Sequence, residues 1–154
     1  MTKYINMKFR VKRSAMQQDM MVKLTRAGVF EGYKDILMIS AIIGYLNNQF
    51  IPIQKRASDG VLLQFFSPID LDIIDLLAYS YAKEQTILSK DEKYDVFSSY
   101  ANGGFPILLE KLDFSEGDDI NEESRRKLIK RYYKLLLSNG FIISLHDLDK
   151  QLAI

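Results

Sequence analysis

Residues 31–48, EGYKDILMISAIIGYLNN, constrain this chain more than any other stretch. Their apolar positions recur at helical spacing, yet Tyr33, Ile36, Leu37, Ile39, Ile42, Ile43 and Leu46 spread over more than one face. A helix of that kind cannot lie on a surface. It needs neighbours on several sides, so it is expected at the centre of a helical bundle. Ala41 and Gly44 within it are small enough to let another backbone come close.

The neighbours can be read on either side. Residues 5–12, INMKFRVK, alternate Ile5, Met7, Phe9 and Val11 with Asn6, Lys8, Arg10 and Lys12, the period of a half-buried strand. Ser14 suits a helix N-cap, and good helix formers follow until Gly28. In FIPIQKRASDGVLLQFF (50–66) two apolar runs flank a polar ASDG turn, which predicts a hairpin. Ser67-Pro68, with Asp70 and Asp72 near the positive end of the dipole, opens a helix expected to reach Leu88. Ser89 or Asp91 starts another, through Tyr94, Phe97 and Tyr100.

The stretch YANGGFP (100–106) then reads as a corner. Asn102 and Gly103 suit the left-handed residue that ends a helix, Gly104 frees the chain, and Pro106 opens a new helix, ILLEKL. Asp119 and Glu122 form a capping-box pair before EESRRKLIKRYYKLLLSNG, which Asn139-Gly140 ends, and FIISL adds a short strand. The expected fold is α+β and mainly α-helical: a compact bundle of about five helices with an N-terminal strand and a short β-hairpin. With 154 residues a single domain, 1–154, is expected, its basic C-terminal helix and tail (120–154) serving as a partner-binding extension.

Chemistry is sparse. There is no cysteine and one histidine, His146, which excludes thiolate zinc sites, disulfides and cysteine nucleophiles. Neither GxxxxGK[ST] nor GxGxxG occurs. The loop from Asp113 fails as an EF-hand, with Asp118 where glycine should turn the chain and Ser124 where the bidentate Glu belongs. Pro68-Ile69-Asp70 followed by Asp91-Glu92-Lys93 imitates the acidic set of a Mg²⁺-dependent nuclease, but both groups read as helix starts, where acids are expected anyway. No cofactor is expected. No apolar run is long enough to cross a bilayer, and the N-terminus carries charges where a signal peptide needs apolar residues, so a cytoplasmic protein is expected.

The net charge of +1 conceals segregation: residues 1–56 carry +7, residues 57–123 carry −11 and residues 124–154 carry +5. Such blocks either pair within one fold or steer a charged partner. Two basic features stand out as nucleic-acid candidates. Lys8, Arg10 and Lys12, with Arg13 following, lie on a strand that precedes two helices, the order of a ribbon-helix-helix repressor. Arg125, Arg126, Lys127, Lys130, Arg131 and Lys134 lie on the last long helix, opposite Leu128, Ile129, Tyr132, Leu135 and Leu136.

Three segments, 29–53, 74–92 and 96–112, together resemble the small proteins of the Dnd (DNA phosphorothioation) system-associated protein 4 family. A first pattern falls on Phe30, Tyr33, Asp35, Leu37, Gly44, Tyr45 and Pro52, and a second on Phe97, Tyr100, Ala101, Asn102, Gly103, Gly104 and Leu108. The resemblance spans residues 8–112, and the basic extension from Asn121 onward is longer than the family pattern. It implies a bacterial anti-phage or DNA-modification setting, in which small subunits accompany ATPases, nucleases or DNA-modifying enzymes, and it carries no catalytic residues over. The expected function is therefore a non-catalytic accessory subunit that binds a larger ATPase or nuclease partner, with DNA contact through the basic ends and homo-oligomerisation left open. The alternatives are a ribbon-helix-helix regulator and a metal-dependent nuclease.

Overall fold

A computed structural model describes residues 6–138. Two short strands and five α-helices make up the described chain: β1 (Arg10–Val11), α1 (Gln18–Arg26), α2 (Tyr33–Leu46), β2 (Val61–Leu62), α3 (Pro68–Ala82), α4 (Glu92–Leu112) and α5 (Glu122–Ser138). The mainly helical architecture with a small antiparallel sheet is the one expected. Asn139-Gly140, the strand read at FIISL and His146 lie outside the described residues.

Local signals account for most helix ends. Ser14 Oγ accepts from the Met16 amide and caps a 3-10 turn (Ala15–Gln17) that feeds α1. Gly28, at φ +74°, ends α1, and the Val29 amide closes back on Leu24 O at 3.1 Å. Ser67 and Asp70 form a reciprocal capping box at the start of α3, with Pro68 in the first turn. That helix stops at Ala82 rather than Leu88, because Lys83 takes the left-handed conformation at φ 58°. The box opening α5 is Asn121 with Ser124, each side chain accepting from the other's amide at 2.8 Å, and not Asp119 with Glu122. Ile120 packs against the core, so the chain turns into the helix only after it.

The segment 50–66 does not fold back on itself. Its strand, β2, pairs antiparallel with β1, Arg10 opposite Leu62 and Val11 opposite Val61. The run at 51–53 instead lies along α4, where the Ile51 amide donates to Ser99 O at 3.0 Å. The two strands expected in separate places are therefore each other's partners.

The largest departure is at residues 100–106. There is no corner: α4 runs for 21 residues straight through Asn102, Gly103, Gly104 and Pro106. The glycines are there for contact. A Cβ on Gly104 would stand 1.8 Å from Ser40 O, one on Gly103 2.2 Å from Gln49 O, and one on Gly44 2.1 Å from Tyr100 O. Real carbon–oxygen contacts are far longer, so α2 and α4 lie backbone to backbone and only glycine fits. Around this seam Ile36, Ile43, Phe97, Phe105 and Leu108 are buried. Each such side chain contributes about 1.5–3 kcal/mol of burial.

Pro106 should leave the Asn102 carbonyl without its helical donor. Gln17, 85 residues away in sequence, supplies one: its Nε2 donates to Asn102 O and to Asn102 Oδ1, both at 3.0 Å. Asn102 Nδ2 in turn donates to Ile51 O at 2.8 Å. One asparagine thus joins the turn before α1, the chain after α2, and the middle of α4.

Candidate functional site

The basic N-terminal strand separates into different roles. Lys8 is exposed. Arg10 donates through Nη1 to Gly60 O at 3.1 Å, and Lys12 pairs with Asp95 at 3.3 Å where both are well exposed. Ser98 Oγ donates to Lys12 O, so β1 lies between β2 and α4. A ribbon-helix-helix protein needs this strand to pair with a second copy, whereas here its partner is β2 of the same chain.

Arg13 is not a surface residue. It is 1% exposed, its Nη2 lies 2.6 Å from Asp59 Oδ1, its Nη1 donates to Gln18 Oε1, and its guanidinium sits 4.0 Å from the centre of the Tyr33 ring. The strand period carries the signal for this: Arg13 shares the parity of Phe9 and Val11 and so falls on their side.

The acidic groups read as a metal set do not assemble. Asp70 accepts from the Ser67 amide and lies 2.9 Å from Lys34 Nζ, while Asp91 stands at the start of α4. No cluster of three or more His, Asp or Glu side chains suited to a metal occurs among the described residues.

A cleft of about 490 Å³ opens beside the start of α2, with Arg10, Tyr33, Lys34, Asp35, Asp59 and Phe65 among its walls. Part of its charge is paired within the fold. Lys34 lies 3.0 Å from Asp35 and 2.9 Å from Asp70. Burial alone would lower the Lys34 pKa, and the two carboxylates outweigh that and hold it above its ordinary value.

Phe30, in the turn before α2, meets α5. The rings of Phe30 and Tyr132 are 4.5 Å apart. Burial, then the charge of Asp35, then Tyr133 and Glu31, push the Tyr132 hydroxyl up to about 12. An unfolded tyrosine titrates near pH 10, so between about pH 10 and 12 the unfolded chain loses a proton that the folded chain keeps. Stability is therefore full below about pH 10 and declines towards pH 12. Tyr132→Phe should remove about 2 kcal/mol of that decline in denaturant titrations at the two pH values. The raised Tyr94 and Tyr100 leave a residue of it.

The cations of α5 also divide. Arg125 donates through Nε to Ala27 O, Arg126 lies 3.5 Å from Glu122, and Lys127 lies 3.4 Å from Glu123. Arg131 donates to Leu112 O at 3.2 Å, with Asp113 nearby at 3.8 Å. Lys130 and Lys134 are exposed.

The last surface was missed by motif reading. At the C-terminal end of α2 and along the outer side of α3, Tyr45, Leu76, Leu77, Tyr79, Ser80 and Lys83 line an open groove of about 490 Å³. Leu76 is 67% exposed, Leu46 59% and Tyr79 45%. Tyr45 is held there by a hydroxyl contact with Ser80 at 2.7 Å and by the edge of Tyr100 at 5.6 Å. Behind it Phe50 and Tyr81 stack at 4.3 Å. The available signal was Leu76 and Tyr79 at i, i+3 on the side of α3 opposite Ile74 and Ala78.

A family model described as DNA sulphur modification system-associated protein 4 matches residues 10–134, and so reaches well beyond Leu112 into α5. No curated protein and no solved structure matches the chain.

Proposed function

The chain belongs to the DNA sulphur modification system-associated protein 4 family, and from that premise we propose that it is a non-catalytic accessory subunit that docks on a larger ATPase or nuclease component of such a system. The reading places this protein in bacterial phage defence, as a binding module rather than an enzyme. One observation carries it: the exposed groove of Tyr45, Leu76 and Tyr79 on α2 and α3. Exposed large apolar side chains scattered singly are ordinary, but aromatic and aliphatic ones gathered in one groove on rigid helices form the kind of surface a partner covers. Tyrosine suits that role because it buries much area at little conformational cost. Lys83 at the end of the groove favours an amphipathic helix with an acidic residue beside its apolar anchors.

The test is co-expression of the tagged chain with the larger components of its system, purified with and without nuclease treatment. A stoichiometric, nuclease-resistant complex is expected, lost in Leu76→Asp with Tyr79→Asp while the melting temperature of the free subunit is unchanged. A complex that survives the double substitution, or a subunit that purifies alone, overturns the reading.

A further inference from the structure

Helix α5 keeps part of its positive charge unanswered. Its first turns are neutralised within the fold by Glu122, Glu123 and Ala27 O, as described above. Lys130 and Lys134, one turn apart, have no carboxylate within ion-pair distance among the described residues, and neither does Lys111 at the end of α4. Lys111 and Lys134 converge with Arg131: together with Leu135 and Ser138 they line a groove of about 260 Å³, and among the described residues its walls contain no acidic side chain. Holding cations together without a counter-charge costs stability, and an anionic partner removes that cost.

An aromatic ring borders the same lysines. Tyr133 lies one turn from Lys130 on the exposed side of α5 and next to Lys134 in sequence, is 58% exposed, and is stacked on the largely buried Tyr132 at 6.0 Å and 15°. Tyr132 is fixed in turn by Phe30. An acidic polypeptide would use the cations and ignore the ring. A nucleic-acid strand uses both, its phosphates on the lysines and an unpaired base on the tyrosine. Duplex DNA keeps its bases stacked inside and leaves such a ring unused.

We propose that the exposed side of α5 formed by Lys130, Tyr133 and Lys134, with Lys111 beside Lys134 at its edge, is a binding track for a single strand of nucleic acid. It shares no residue with the α2–α3 groove, so its failure and that of the docking reading are separable.

Fluorescence anisotropy of the full chain with a labelled oligothymidylate, and with a duplex of equal length, tests it over a range of salt. Binding to the single strand should be the tighter and should weaken steeply with salt. Lys130→Glu with Lys134→Glu should weaken it about tenfold or more. Two lost phosphate contacts should also flatten the log–log salt slope by about 1.4. Tyr133→Ala should weaken it several-fold, and Tyr133→Phe should not. Lys55→Glu with Lys90→Glu, exposed positions outside the track, should change little. Absence of binding at low salt overturns the proposal, as does a duplex bound as tightly with no response to Tyr133→Ala. Equal displacement by polyglutamate at matched charge also overturns it. Because all the substituted side chains are exposed, thermal melts of the variants should match the parent.

Discussion

Gly104→Ala is expected to destabilise this protein by about 3 kcal/mol or more, although the usual rule gives the opposite sign. In a helix interior alanine is favoured over glycine by about 1 kcal/mol. Here the added methyl would meet Ser40 O at 1.8 Å and the Gly44 amide nitrogen at 2.6 Å. Both obstacles are backbone, so no side chain can swing aside, and α2 and α4 must separate. Separation opens voids around Ile43 and Phe105, which adds a cavity cost to the steric one. For a chain of this length a loss of about 3 kcal/mol lowers the melting temperature by about 6–12 °C. Gly32→Ala is the control: φ is −166° and nothing lies within 4 Å of the added carbon. Gly32 is the N-cap of α2, where glycine is favoured over alanine, so the substitution should cost about 1 kcal/mol at most. A Gly104→Ala protein that melts at or above the parent temperature would show that the two backbones are not in contact.

Arg13→Ala should cost about 3 kcal/mol. The substitution removes a large buried side chain, the cation over Tyr33, and the donor to Gln18. It leaves a cavity beneath β1 and an unpaired amide oxygen in it. Asp59→Asn should cost less, about 1–2 kcal/mol, because the amide oxygen can still accept from Arg13 Nη2 although the buried guanidinium loses its counter-charge. The asymmetry separates two roles that sequence alone makes equivalent. A nucleic-acid contact would lose binding with no change in melting; a structural wedge loses melting temperature first. Chemical denaturation of Arg13→Ala and Asp59→Asn side by side decides it, and an unchanged midpoint for Arg13→Ala would return the residue to the surface.

The family pattern takes on a physical meaning in this light. Gly44, Tyr100, Asn102, Gly103 and Gly104 make the seam between α2 and α4 and the polar knot beside it. Phe30, Tyr33 and Asp35 seat α5, hold Arg13 and pair Lys34. The pattern records how the bundle closes. The two surfaces proposed for binding, the α2–α3 groove and the lysine-bearing side of α5, lie outside it apart from Tyr45.

Features that depend on residues within one helical turn or one strand pleat of each other can be read directly from the amino-acid order. The caps at Ser14 and Ser67, the stop at Gly28, the all-round burial of α2 and the family all fall in that class. The burial of Arg13 does not belong there: its parity with Phe9 and Val11 points inward, its charge points outward, and the sequence leaves it among the candidate surface cations. Only the tertiary structure decided the continuity of α4. Locally, Asn-Gly-Gly followed by Pro favours ending a helix, and that preference amounts to a few kcal/mol. Against it stand the contact of Gly104 with α2, that of Gly103 with Gln49 just after α2, and the donor that Gln17 brings to Asn102. Those partners lie far away in sequence, where no local pattern can register them. The same holds for β1 and β2, and for the lysines of α5: charge is visible in the sequence, but whether an acid sits opposite is settled only when the chain is folded.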